Sequence, residues 1–168
     1  MARVGIALGS NLGDRLANLR AARAGLAGLA ASGGVMLQAP VYQTAPVLCP
    51  EGSADFYNTV VELEIEGGVG WLLQETQRLE RRLGRESGGV RNAPRVIDID
   101  LLYWEDAVVD LPGLVLPHPR LVVRRFVLQP LAEIRPDLRL PGWAGTAREM
   151  LAGLVSDEPP LGWVTDDW

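Results

Sequence analysis

Two acids stand two residues apart in Asp98-Ile99-Asp100, inside the apolar run Val96 to Leu102 and directly after Arg91-Asn92-Ala93-Pro94-Arg95. Successive side chains of a strand point to opposite faces, so Asp98 and Asp100 share one face while Ile97, Ile99 and Leu101 take the other. Side chains of such an i, i+2 pair sit roughly 6–7 Å apart. That spacing suits one hard divalent cation, or a pair, with phosphate oxygens completing the shell. The same pattern also serves an ordinary half-buried strand with a solvated polar face. The neighbours favour chemistry. Arg85, Arg91 and Arg95 lie upstream, and the only histidine follows in Pro117-His118-Pro119-Arg120. Carboxylates for metal beside arginines for phosphate are what phosphoryl-type transfer requires.

The elements that must position these groups follow from periodicity. Val4 to Leu8 reads as a buried strand ending at Gly9, and Gly9-Ser10-Asn11-Leu12-Gly13-Asp14 as a turn. Asp14 is placed to N-cap a helix running to about Ala31, closed by Ser32-Gly33-Gly34. Val35 to Thr44 is a strand broken or bent at Pro40. Ala45 to Asp55 is a loop. Phe56 to Glu66 alternates Val61, Leu63 and Ile65 with Glu62, Glu64 and Glu66, predicting a strand with one buried face. A helix over Trp71–Leu83 follows, then a glycine-rich loop over Glu86–Ala93, the acidic strand Val96–Trp104, and Ala107–Asp110 as its candidate hairpin partner. Arg125–Ile134 and Thr146–Val155 read as further helices. The order βαββαβ predicts a ferredoxin-like α/β (α+β) fold, a mainly antiparallel sheet with helices packed on its faces. A single domain over 1–168 is expected, with the tail 156–168 either packed or frayed.

Composition narrows the function classes. The chain has 168 residues, 48% hydrophobic and 22% charged, enough for a sizeable core. A net charge of −5 argues against a nucleic-acid partner, whose affinity rests on basic surface. The arginines nevertheless cluster at 78–95 and 120–125, a local cationic region suited to a small polyanion. The single cysteine, Cys49, excludes an internal disulfide and a cysteine-based metal cluster. No apolar run reaches the roughly 20 residues of a membrane span, and the N-terminal run is too short for a signal peptide. A cytoplasmic monomer without nucleic-acid or membrane partners is expected.

Several polar residues admit two uses. The glycine turn at Gly9 to Asp14 lacks both the Walker A ending and the G-x-G-x-x-G pattern, so its glycines serve the turn as readily as a phosphate. Asn58, at a strand start, either serves as a turn residue or reads the edge of a heterocycle, since its amide donates and accepts. Phe56 and Phe126 suit a core or a stacking platform. Gln77, Glu80 and Arg81 suit a solvated helix face, and Arg85 the end of a helix dipole. His118, stiffened between prolines, suits a structural hydrogen bond or a ligand contact.

Taken together, the chain resembles the 6-hydroxymethyl-7,8-dihydropterin pyrophosphokinases of folate biosynthesis. The resemblance runs through Ala7-Leu8-Gly9-Ser10-Asn11-Leu12-Gly13, Tyr42-Gln43-Thr44-Ala45-Pro46 and Asp55-Phe56-Tyr57-Asn58. It continues in Arg91-x-Ala93-Pro94-Arg95-x-x-Asp98-Ile99-Asp100-Leu101-Leu102, Leu116-Pro117-His118-Pro119-Arg120 and Arg124-Arg125-Phe126-Val127-Leu128. It covers roughly residues 4 to 140. It implies transfer of the terminal diphosphate of ATP, the co-substrate, to the hydroxymethyl oxygen of a reduced pterin, releasing AMP. It further implies two Mg²⁺ ions on Asp98 and Asp100, with Arg85 and Arg95 on the moving phosphates. Thr44, Ala45, Val47, Phe56, Asn58 and Phe126 would form the pterin pocket. Gln77, Arg91, Leu101, His118, Pro119 and Arg124 would take the nucleotide. The chain departs from the family at Asn92-Ala93, where Trp-Gly is common, and at Ser87 and Gly88, where basic residues often stand; weaker substrate affinity is the expected consequence. Ala45 replaces a frequent proline. The rival readings are a ligand-binding module without turnover and an acidic-site nuclease.

Overall fold

The computed structural model describes residues 1–46, 51–84 and 94–168. Its core is one antiparallel sheet built from β1 (Ala2–Ser10), β3 (Val41–Thr44), β4 (Phe56–Ile65) and β5 (Asp98–Trp104). The two-residue strand β2 (Leu37–Gln38) pairs with β4 alongside β3, and β8 (Gly162–Thr165) adds the outer edge. The order β5-β1-β4-β3-β8, with α1 (Arg15–Ala27) between β1 and β2 and α2 (Val69–Arg82) between β4 and β5, is the expected ferredoxin-like arrangement. Pro40 breaks the second strand as its sequence predicts. Asp14 caps α1, its Oδ1 accepting from Ala17 N at 3.0 Å.

Two apolar layers enclose the sheet. Val4, Ile6, Leu8, Val61, Leu63, Ile65, Ile99 and Leu101 face Leu19 and Leu26 of α1 and Leu72 and Leu79 of α2. Val60, Leu102 and Tyr103 face Val127, Leu128 and Leu131 of α3 (Arg125–Ile134), with Met150 and Leu151 of α4 (Ala147–Ala152) packed behind. β4 therefore has two covered faces, where its alternation predicts one. Glu62 is 4% exposed and owes its burial to partners, accepting from the Tyr103 hydroxyl and from Arg135 Nε at 2.9 Å and Nη2 at 2.5 Å. A buried carboxylate with a bidentate guanidinium and a phenol has its lone pairs filled, which a period-two pattern cannot foresee.

Three other expectations are corrected. α1 ends at Ala27 with Gly28 as C-cap, short of Ala31. The chain tightens there, Leu29 and Ala30 bonding three residues back, and Ala31 N donates instead to Glu64 O at 2.8 Å. The segment after β5 is not its hairpin partner. β6 (Val109–Leu111) pairs with β7 (Leu114–Leu116) in a separate two-stranded sheet, while β5 pairs with β1. Backbone groups of β5 at Ile99 and Leu102 bond Glu80 Oε1 at 2.7 Å and His118 N at 2.7 Å. Glu80, expected on a solvated helix face, is thereby buried against the strand.

The tail is packed. β8 pairs with β3, and Trp168 is 2% exposed in the core on the α1 side, its Nε1 donating to Ala39 O at 2.8 Å. Arg23 lies over the indole at 5.1 Å, giving the ring one polar cover and one apolar bed. Truncating a buried indole typically costs about 3–5 kcal/mol. Trp168→Ala should lower stability by about 3 kcal/mol in urea unfolding, a figure near zero showing that the ring contributes no packing.

Candidate active site

The expected facing of the acids holds. Ile97, Ile99 and Leu101 enter the α1–α2 core, so Asp98 and Asp100 project from the α3 face. Leu101 thus turns its side chain away from the acids, and only its backbone is left for a contact beside them. β5 slips by one residue opposite Gly5 and Ile6, the register passing from Leu101 to Tyr103. The extra residue puts both Leu102 and Tyr103 into the α3-side core. The Leu102 carbonyl accepts from His118 N, which ties the histidine's backbone two residues from Asp100. Bulges commonly re-aim a strand in this way beside functional sites.

Register brings the expected pterin residues onto the same face. Gly9 is opposite Asp98 on one side and Asn58 on the other, and Asn58 is opposite Tyr42. Asp98 and Asn58 are therefore two strand spacings apart, about 10 Å, with no side chain between them. A Cβ on Gly9 would stand 2.7 Å from Asn58 Oδ1 and 3.7 Å from Phe56 Cδ1. Asn58 Nδ2 donates to Thr44 Oγ1 at 2.7 Å, which fixes the orientation of a buried amide. Thr44 is buried, Ala45 exposed and Phe56 half-buried. Phe126 stands at the start of α3 with the Arg124 guanidinium 5.5 Å from its ring centre. Gln77 is exposed on α2, on the opposite side of the sheet. Val47, Arg85 and Arg91 lie outside the described residues, as do Ser87, Gly88, Asn92 and Ala93.

The electrostatics are uneven. Arg95 Nη1 donates to Asp98 Oδ1 at 2.8 Å. The Asp100 pKa is pushed up to about 6 by burial, then by the charges of Asp98 and Glu80, against a partial offset from Arg124 and Arg95. His118 is pulled below its ordinary value by burial and by Arg124 and Arg120. Its Nδ1 accepts from Arg120 N at 3.1 Å, so the neutral ring carries its proton on Nε2, the nitrogen available to a ligand. Among the described residues no three His, Cys, Asp or Glu side chains form a ready cation cage. Two hard oxygen donors with surplus negative charge fit a cation that fills its remaining positions with water and phosphate oxygens.

Asn11 is what sequence reasoning missed. It is 3% exposed, its Oδ1 accepts from Arg95 N at 2.7 Å, and its Nδ2 donates to Ala54 O at 3.3 Å. Its signals in the sequence were its place in the turn after the first strand and in the motif Ala7 to Gly13.

The model of the 7,8-dihydro-6-hydroxymethylpterin-pyrophosphokinase (HPPK) family matches residues 5–136. The chain belongs to that family. It is 43% identical over 129 residues to the 2-amino-4-hydroxy-6-hydroxymethyldihydropteridine pyrophosphokinase of Bacillus subtilis, covering 77% of this chain and 75% of the relative. It is 42% identical over 159 residues to the enzyme of that name from Methylorubrum extorquens, covering 92% and 94%. Among solved structures, Plasmodium falciparum HPPK-DHPS with pteroate superposes with a TM-score of 0.70 at 14% identity, over 90% of this chain and 42% of that one. This chain thus spans less than half of that longer protein, and the likeness bears on fold. No helix among the described residues is long and apolar enough to cross a membrane.

The raised Asp100 pKa has a definite sign for stability. Well below the ordinary 3.8 the carboxyl is protonated folded or unfolded; between 3.8 and about 6 only the unfolded chain releases the proton. Stability therefore falls as pH rises through that window, and the penalty is complete above it. Asp100→Asn should be more stable than the parent by roughly 1–3 kcal/mol at pH 7.5, with the difference gone by about pH 3. Denaturant titrations at the two pH values check this. Gly9→Ala should displace the Asn58 amide and weaken pterin binding about tenfold, read by titration calorimetry against an unchanged nucleotide affinity.

Proposed function

We propose that this HPPK carries out its reaction with the carboxylates of β5 on the metal and phosphate side and the Thr44–Asn58 pair on the pterin side. The reaction moves the β,γ-diphosphate of ATP to the hydroxymethyl oxygen of 6-hydroxymethyl-7,8-dihydropterin. The oxygen forms a bond to the β-phosphorus, the bond from that phosphorus to the α–β bridging oxygen breaks, and AMP leaves. The hydroxyl proton is lost to solvent. The observation that carries the assignment of residues is the row Asp98–Gly9–Asn58, which puts a charge site and an amide edge on one face with only a glycine between, over which the amide leans.

Asp98 and Asp100 are the proposed ligands of two Mg²⁺ ions. Bound there, such ions would withdraw charge from the phosphate oxygens and lower the hydroxyl pKa. Cation binding would also relieve the repulsion that raises the Asp100 pKa. Arg95, tethered through Asp98, is aimed by that ion pair at whatever the acids hold. Arg85 is proposed to share that phosphate contact. His118, with Nε2–H as its donor, Arg124, Pro119, Arg91 and the Leu101 backbone are proposed for the nucleotide, and Gln77, across the sheet from the acids, is left out of that set. Asn58 offers both a donor and an acceptor to a pterin edge, while Phe56 and Phe126 supply apolar faces on which a flat heterocycle stacks. Thr44, Ala45 and Val47 complete that side. In-line transfer needs the two substrates held close and the charge neutralised far more than it needs a strong base.

With Mg·ATP and 6-hydroxymethyl-7,8-dihydropterin, the protein should release AMP. Asp98→Ala and Asp100→Ala should each cut the rate at least about 100-fold while unfolding cooperatively, since several kcal/mol of charge stabilisation go with either ligand. Arg95→Ala should lower kcat more than it raises KM for the pterin. Parental rates in either aspartate variant would remove the metal assignment.

A further inference from the structure

The turn after β1 carries a side chain whose polar atoms reach two loops distant in sequence. Asn11 bonds residue 95 twice, Oδ1 taking the Arg95 N–H and its own N–H donating to Arg95 O at 3.1 Å. Its Nδ2 reaches the Ala54 carbonyl. Arg95 is three residues before Asp98, and Ala54 is two before Phe56. Neighbouring bonds stiffen the same corner. Asn18 Nδ2 donates to Ser10 Oγ at 3.1 Å and Leu12 O at 2.8 Å, and Arg15 Nη1 donates to Asp55 O at 2.8 Å. Arg15 also lies 3.9 Å over the Tyr57 ring. The corner is thus a rigid post, and Asn11 is the part of it that holds both loops.

We propose that Asn11 is a positioning residue that fixes the phosphate-side loop at Arg95 to the pterin-side loop at Ala54, and so sets the gap across which the diphosphate passes. The inference rests on the proposed division of the site into those two sides. A primary amide is what the place demands. One end must accept, the other must donate, and the residue must be short enough to stay in the turn. An aspartate keeps the acceptor for Arg95 N–H and sets an oxygen against the Ala54 carbonyl. An alanine loses both arms. The consequence falls on the relative placement of the substrates, because Arg124 and His118 are held by other elements.

Three quantities separate positioning from plain support: kcat, the affinity for α,β-methylene-ATP with Mg²⁺, and the affinity for the dihydropterin with that analogue bound. The wild-type protein is assayed first for AMP release; its absence removes the functional reading itself, before any variant is compared. In Asn11→Ala, kcat and pterin affinity should each fall about tenfold, with nucleotide affinity within about twofold of the parent. In Asn11→Asp, pterin affinity should fall while kcat stays nearer the parent, since the Arg95 arm survives. If the alanine variant does not fold, the aspartate variant alone carries the test. Parental kcat and pterin affinity, or an even loss in all three quantities that tracks a lowered Tm, would overturn the proposal.

Discussion

Two negative charges on one face of a strand, both half-buried, are the constraint around which this site is arranged. Asp98 is offset by the Arg95 guanidinium, whereas Asp100 meets Glu80 and Asp98 before it meets any cation. Left alone, such a group keeps its proton up to about pH 6 instead of ionising. A fold that keeps this arrangement accepts a stability penalty at neutral pH, and a divalent cation is the species that would relieve it. Strain of this electrostatic kind is common where a protein is shaped for a ligand's charge.

The rest of the sheet makes room for that arrangement. β1 lies between β4 and β5, and its glycines stand where those strands send large groups over it. A Cβ on Gly5 would fall 2.1 Å from Tyr103 Cε1, inside the ring that bonds Glu62. Gly9 does the same for Asn58, whose amide takes the space a Cβ would fill. One end of the α3 face is thus closed by the Glu62–Tyr103–Arg135 cluster, while the other end carries Asp98 and Asn58 on either side of Gly9. The same lack of a side chain makes room for a ring in one row and for an amide in the next.

Much of the fold was legible because most elements obey their own periodicity. The βαββαβ order, the break at Pro40, the Asp14 cap and the helix over Arg125–Ile134 follow from local pattern and local sterics. The errors share one cause. Glu62 and Glu80 look solvent-facing by spacing, and both are buried because distant groups, Arg135 with Tyr103 and the Ile99 N–H, satisfy them. The short helix end at Gly28 and the misplaced partner of β5 likewise depend on where other strands take up backbone groups. A local pattern records a side chain's polarity. It does not record who answers it.

The sequence by itself determined the chemistry on offer: two carboxylates forced to one face by the strand's two-residue repeat, arginines beside them, and an ordered set of motifs that resembles one enzyme family. Those properties travel with the chain over a few residues, so no long-range contact is needed to read them. Only the tertiary structure decided which distant groups share that face. It set Asn58 across Gly9 from Asp98, joined His118 to the Leu102 carbonyl, and put Asn11 between residues 54 and 95. Register and burial are properties of paired strands, and a pairing is created only when the chain closes on itself.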